Sequence, residues 1–235
     1  MVELSNSSNL PVIVIACQVF QDLLGRLLPE DLKTNITFMD YGLHRVPSKL
    51  TKALQEAIDS IEQPSLVLLG YGLCGNGLHQ IKSGKHILLV PRADDCIAIL
   101  LGSHAAYRKE FDAIPGTYYL SKGWLESGSN PLSEYNEYIK RMNPDNAMWV
   151  MDQQYQHYKR LAFVAHSQED LEQYRPQAQE VAQFCARWGM QYEEILGSDG
   201  FVRRLVEVAA SLEKANEDFV VVPPGGELKQ SHFIR

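Results

Sequence analysis

Three short runs near the start of the chain, VIVIA, LVLL and ILLV, are apolar at every position, and a fourth, ITFM, is broken only by a threonine. Successive side chains of a strand point to opposite faces, so a strand that is apolar throughout must be covered on both sides. A parallel sheet layered with helices supplies that cover. The intervening segments agree: Phe20–Leu28 is apolar at helical spacing, and Pro47–Ile61 carries the stripe Leu50, Ala53, Leu54, Ala57, Ile58 and Ile61, with Ser48 as its expected cap. Asp95 is placed to cap a helix through Ile97, Leu100, Leu101 and Tyr107 to Phe111. The expected fold is α/β, with Rossmann-like parallel-sheet lobes carrying helices on both faces.

The rhythm breaks in the middle of the chain. PGTYYLSKGWLESGSNP is aromatic and turn-rich, and the helical stretch after it is dense in Tyr, Met and Trp. From Arg160 the alternation resumes with LAFVAH, a helix over Ser167–Trp188, QYEEIL, a helix over Gly200–Leu212, and DFVVVPPGGE. The expected division is an N-terminal lobe over 1–130, an aromatic helical connection over 131–159 and a C-terminal lobe over 160–235, with a single mixed domain as the alternative.

The balance of 22 Lys and Arg against 29 Asp and Glu gives a net charge of −7, with no basic run to neutralise a phosphate backbone, so nucleic acid is not an expected partner. No apolar stretch reaches the roughly 18 residues of a membrane span, and the polar leader MVELSNSSNLP lacks the basic region of a secretory signal. A cytoplasmic location follows as the expectation. Thiols stay reduced there, which favours ligand or reactive roles over disulfides.

That expectation gives weight to where the cysteines fall. Three of the four, Cys17, Cys74 and Cys96, each follow one of the apolar runs, and His44 follows a fourth. Loops leaving the carboxyl ends of parallel strands share one edge of the sheet, where ligands bind. A site of Cys17, His44, Cys74 and Cys96 would suit zinc, as four ligands or as three with an open position. A [4Fe–4S] cluster with one iron left open is the alternative. Cys185, beside Phe184 on an apolar helix face, reads as core.

The segment GYGLCGNG spells G-x-G-x-x-G through Gly70, Gly72 and Gly75, but the chain before the next strand is too short for a phosphate-binding crossover helix. A bent loop that brings its backbone to a ligand is the better reading, with Tyr71, Gly72, Gly75 and Asn76 as cofactor contacts. In PRADDC, Arg92 would hold an anion or pair with an aspartate, and Asp95 would cap its helix, orient His44 or act as a base. Further on, Tyr119 and Trp124 form a candidate aromatic wall and Glu126 a candidate acid. Pro223-Pro224-Gly225-Gly226 offers a rigid turn whose backbone N–H groups either hold an anion or simply end the strand.

The ordered set of a strand-end cysteine, GLHRVP, GYGLCGNG, PRADDC, PGTYY and GWLE resembles the DUF1638 family of uncharacterised prokaryotic proteins over roughly residues 10 to 215. The resemblance implies Cys17, His44, Tyr71, Gly72, Cys74, Gly75, Arg92, Asp95, Cys96, Gly116, Thr117, Tyr118, Gly123, Trp124 and Glu126 as motif positions, and departs at Asp94, where some relatives carry histidine. It also implies a link to one-carbon metabolism through neighbouring corrinoid-dependent methyl transfer. Two functional readings follow. One is a metal-dependent transferase or lyase acting on a small-molecule substrate, with a corrinoid protein as partner. The other is a non-enzymatic protein that binds an anion or a corrinoid fragment. Oligomeric state is not legible from the sequence.

Overall fold

The computed structural model describes residues 10–234, so all but the last two residues of the polar leader lie outside the described residues. In chain order the first elements are β1 (Val12–Cys17), α1 (Gln21–Leu27), α2 (Glu30–Lys33), β2 (Ile36–Met39), α3 (Pro47–Asp59), β3 (Leu66–Gly70), β4 (Ile87–Pro91) and α4 (Cys96–Leu100). There follow α5 (His104–Ala113), β5 (Thr117–Ser121), α6 (Lys122–Glu126), α7 (Pro131–Tyr138), α8 (Pro144–Tyr155) and β6 (Arg160–Ala165). The last are α9 (Gln168–Cys185), β7 (Gln191–Leu196), α10 (Gly200–Ala210) and β8 (Phe219–Val222). The fold is α/β, with parallel sheets flanked by helices. No helix among the described residues is long and apolar enough to cross a membrane.

The chain forms two units, Met1–His104 with Asp199–Arg235, and Ala105–Ser198. The boundaries expected at 130 and 160 thus fall inside the second unit. The first unit holds a five-stranded sheet in the order β2-β1-β3-β4-β8, parallel except for β8. Every residue of β3 and β4 is buried, as their unbroken apolar character requires. β8 was expected in a C-terminal lobe. It pairs instead with β4, Leu89 opposite Val221, because a fully buried strand needs a neighbour on each side.

Local chemistry sets the ends of the elements. α3 begins with Pro47 as its first residue after Val46, so Ser48 is not its cap, and Leu50, Leu54 and Ile58 form its buried stripe. Asp95 does cap α4, its carboxylate accepting from the Ile97 N–H at 2.8 Å. The single helix expected from Asp95 to Phe111 is two, α4 and α5, parted at Gly102 with φ +89°.

The second unit holds the parallel sheet β5-β6-β7. The aromatic, turn-rich stretch contains β5, whose Thr117, Leu120 and Ser121 are buried beside the all-apolar LAFVA of β6. α7 and α8 are built into this unit's core, where Met151 and Tyr155 pack with Leu120, Phe163, Tyr174, Val181 and Cys185. Arg160, 4% exposed, is held by Thr117 Oγ1 at 2.9 Å, Glu193 at 2.9 Å and Glu110 at 2.8 Å. Its charge is therefore compensated where it is buried.

Cys185 is fully buried in this core, with its thiol pushed up to about 12 by that burial. Replacement by serine leaves a hydroxyl without an acceptor at a cost of about 1–3 kcal/mol. Cys185→Ser is expected to lower the urea midpoint without changing the slope of the transition, as followed by circular dichroism.

Candidate functional site

The strand order places the carboxyl ends of β1 and β3 where the chain changes direction across the sheet, since β2 lies on one side of β1 and β3 and β4 on the other. In such sheets the crevice at that point is the usual ligand position. Ala16 stands opposite Gly70 in the register, and a Cβ on Gly70 would come within 2.6 Å of the Ala16 Cβ. Glycine is what lets the two strands close up just before Cys17 and Tyr71.

Beyond β3 the chain folds onto the loop that leaves β4. Leu73 N–H donates to the Ala93 carbonyl at 2.8 Å and Cys74 N–H to the Asp94 carbonyl at 3.0 Å. Gly72 is the point of contact, because a Cβ there would stand 2.6 Å from both the carbonyl carbon and oxygen of Asp95. Cys74, Gly75 and Asn76 then take successive positive φ values of 48°, 63° and 73°. Asparagine and glycine accept that region readily; a cysteine is held there at a cost of about 1–2 kcal/mol. No helix lies between β3 and β4, so the glycine motif has no helix N-terminus to offer a dinucleotide.

These contacts bring Cys17, Cys74 and Cys96 into one electrostatic neighbourhood. Burial pushes the Cys17 thiol up to about 11, with the Val19 N–H acting in the opposite sense and Asp40 adding to the rise. Burial likewise pushes Cys74 up to about 12, reinforced by the charges of Asp95 and Cys17 and opposed by the backbone N–H groups of Gly72 and Cys96. Cys96 is raised well above the usual thiol range by burial, then by Cys74, Asp95 and Cys17. Asp95 itself is raised, chiefly by burial. In the absence of a cation the three cysteines are neutral thiols, poor as nucleophiles. A bound cation would invert that and deprotonate them.

Tyr71 stands in the middle of this set. It is 2% exposed, and its hydroxyl is buried with no hydrogen-bond partner. Burial drives its ionisation far upward, reinforced by Cys17, Cys74, Cys96 and Asp40. Asp40, absent from the candidate residues, follows β2 directly and accepts the Gly42 N–H at 2.7 Å. It is the first polar residue after ITFM, and that position was the available signal.

The remaining candidates are placed differently. His44 is exposed on the turn after β2, its Nδ1 2.6 Å from the Tyr41 carbonyl oxygen. Arg92 donates from its guanidinium to the Ile234 carbonyl. Asn76 is exposed and lines an open polar groove along α3 with Pro47, Thr51 and His79. Tyr119 on β5, Trp124 and Glu126 on α6 belong to the second unit; Trp124 packs on its core and Glu126 accepts from the Tyr174 hydroxyl. The Pro223–Gly226 turn spends its N–H groups internally, Gly225 on the Gly84 carbonyl at 2.7 Å and Gly226 on the Ser83 hydroxyl at 2.9 Å. It is a terminating turn. Among the described residues, no group of three or more His, Cys, Asp and Glu side chains is drawn together in ligating geometry.

A family model described as a protein of unknown function, DUF1638, matches residues 38–206. The chain belongs to the DUF1638 family. Neither the curated proteins nor the solved structures contain a match to it. The region matched to DUF1638 includes Tyr71, Cys74, Asp95 and Cys96, while Cys17 lies outside it.

Gly72→Ala is expected to force the two loops apart and lower the unfolding free energy by about 1–3 kcal/mol in urea titrations, and Gly75→Ala to cost about 1–2 kcal/mol through its φ of +63° alone. The thiol shifts fix a pH dependence for the metal-free protein. Folded-state values raised above the ordinary 9.0 give stability that is complete below about pH 9 and lost as pH rises through about 11 and 12. The urea midpoint is expected to fall across that window, and to fall less in Cys17→Ala.

Proposed function

We propose that the carboxyl edge of the first sheet is a thiolate site for a soft cation, zinc first and a [4Fe–4S] cluster as the alternative, in a protein that acts on a small molecule. The observation that carries this reading is the gathering of Cys17, which is buried, and of Cys74 and Cys96, which are half-buried, from three different strand ends at one edge of the sheet. Three thiols are the donor set that soft and borderline metals select. Because no three side chains among the described residues stand in ligating geometry, the reading requires the sulfurs to close on the ion as it binds. The left-handed Cys74–Asn76 segment, anchored through Gly72, is the part of the site on a loop and so the part suited to that adjustment.

Cys17, Cys74 and Cys96 would hold the ion as three ligands with a position open; His44, exposed on the turn after β2, would be the fourth ligand only of a closed structural site. Bound there, zinc would supply Lewis acidity and an open position for a nucleophile, chemistry suited to the methyl transfer that the family resemblance implies. The chain's own residues do the rest. The backbone N–H groups of Gly72 and Cys96 oppose the rise at Cys74, and Asp95 fixes the start of α4. A second reading, non-enzymatic binding of a small molecule, is favoured by the thiols being neutral in the absence of a cation.

Elemental analysis of protein purified without oxygen separates these readings. Zinc near one per chain, or iron with sulfide and a brown colour, is expected for the first, and metal-free protein for the second. Cys74→Ser is expected to lose most of the metal and Cys185→Ser to keep it. Equal metal content in wild type and Cys74→Ser would overturn the thiolate site.

A further inference from the structure

Two of the three cysteines at the sheet edge are held closer to each other than to the third. β3 stands between β1 and β4, and neighbouring strands are about 4.8 Å apart, so the ends of β1 and β4 are separated by about 10 Å. Cys74 escapes that spacing, because the chain after β3 crosses to the loop that leaves β4. Its N–H donates to the Asp94 carbonyl at 3.0 Å, beside the Leu73 N–H on Ala93 at 2.8 Å and Gly72 against the Asp95 main chain. Cys96 comes next as the first residue of α4, where a helix gives its N–H groups no internal acceptor. The Cys74 sulfur accepts that N–H, and the sulfur of Cys96 lies against the same group. Both sulfurs are thus within hydrogen-bond reach of one nitrogen. Of the charged groups acting on Cys96, Cys74 is the strongest, ahead of Asp95 and Cys17. Both cysteines are half-buried, so a small reagent can reach them.

From this geometry we propose that Cys74 and Cys96 are an oxidation site, converted by a small-molecule disulfide into an intrachain disulfide that withdraws two sulfurs from the cation. The loss of cation binding rests on the thiolate-site reading, whereas the bond between the sulfurs does not. A disulfide requires an S–S bond of about 2.05 Å between cysteines whose main chains are already close. Hydrogen bonds hold these two main chains together, which leaves side-chain torsion as the adjustment. One thiol gives up its proton and attacks a sulfur of the reagent, releasing the first reagent thiol. The other thiol then displaces the second from the mixed disulfide. Two electrons pass to the reagent, both protons end on its thiols, and exchange with a dithiol reductant reverses the change.

The test treats the folded, metal-free chain with oxidised glutathione in the absence of oxygen and maps its disulfides by mass spectrometry. Wild type is expected to lose two hydrogen masses and two of its four thiols, with Cys74 joined to Cys96 and with Cys17 and Cys185 still free. Dithiothreitol is expected to restore all four. Cys17→Ala is expected to form the same bond, and Cys74→Ser to form none within the chain; the wild-type map decides the pairing even where a variant fails to fold. A bond from Cys17 as the main product, glutathione retained on a cysteine as the end product, or a bond that forms only after urea has unfolded the chain overturns the pairing. Co²⁺ then reads the consequence. Reduced wild type is expected to show sulfur-to-cobalt charge transfer and oxidised wild type to lose it. Equal intensity in the oxidised form overturns the control of the site by oxidation. Absence of cobalt binding in the reduced form overturns the thiolate site and its control together, and leaves the disulfide standing.

Discussion

The carboxyl edge of the first sheet depends on one contact between two main chains. Gly72 lies so close to Asp95 that no side chain fits between them, and two backbone hydrogen bonds, from Leu73 and Cys74, extend the contact. Backbone contact of this kind positions side chains more tightly than side-chain packing does, because neither partner can turn about a rotamer. Cys74 and Cys96 are neighbours for this reason, though 22 positions apart in sequence. Remove the contact, and β3 and β4 would still pair while their cysteines went separate ways.

Close approach on the other side of the crevice works in the same manner. Gly70 against Ala16 draws β1 to β3 and brings Cys17 toward Tyr71. Each of these small residues gives up side-chain burial that a Val or Leu would have supplied in the middle of a core. The sheet accepts that loss at its carboxyl edge only, and the strands below are filled with Leu, Ile and Val.

Much of this arrangement could be read from the residues. VIVIA, LVLL and ILLV announce buried parallel strands because a doubly covered strand has no polar face to mark with alternation, and the cysteines that follow them inherit a common edge. Asp95 announces its cap. His44 reads as a ligand because it follows the fourth strand, and the turn after β2 leaves it exposed. β5 escaped notice because TYYLS lies between Gly116 and Gly123 in a stretch that reads as turn and aromatic surface. β8 was assigned to the wrong sheet for a deeper reason: FVVV states that it is a strand, and nothing in it states which edge it joins. Tyr119, Trp124 and Glu126 group with the first loops by their chemistry, but β5, which carries Tyr119, pairs with β6, and α6, which carries the other two, belongs with it to the second unit.

The pairing of β8 with β4 also bears on the order in which the protein assembles. The second unit is one unbroken length of chain, set between two parts of the first. During synthesis the three strands whose ends carry Cys17, Tyr71, Cys74 and Cys96 leave the ribosome early, but the open edge of β4 waits more than a hundred residues for Phe219–Val222. The inserted unit can collapse on its own local pairings while the first sheet still has an unpaired, wholly apolar edge. Long waits of this sort expose a chain to association with its neighbours. In this protein the last strand therefore both completes a core and closes the edge most open to wrong partners.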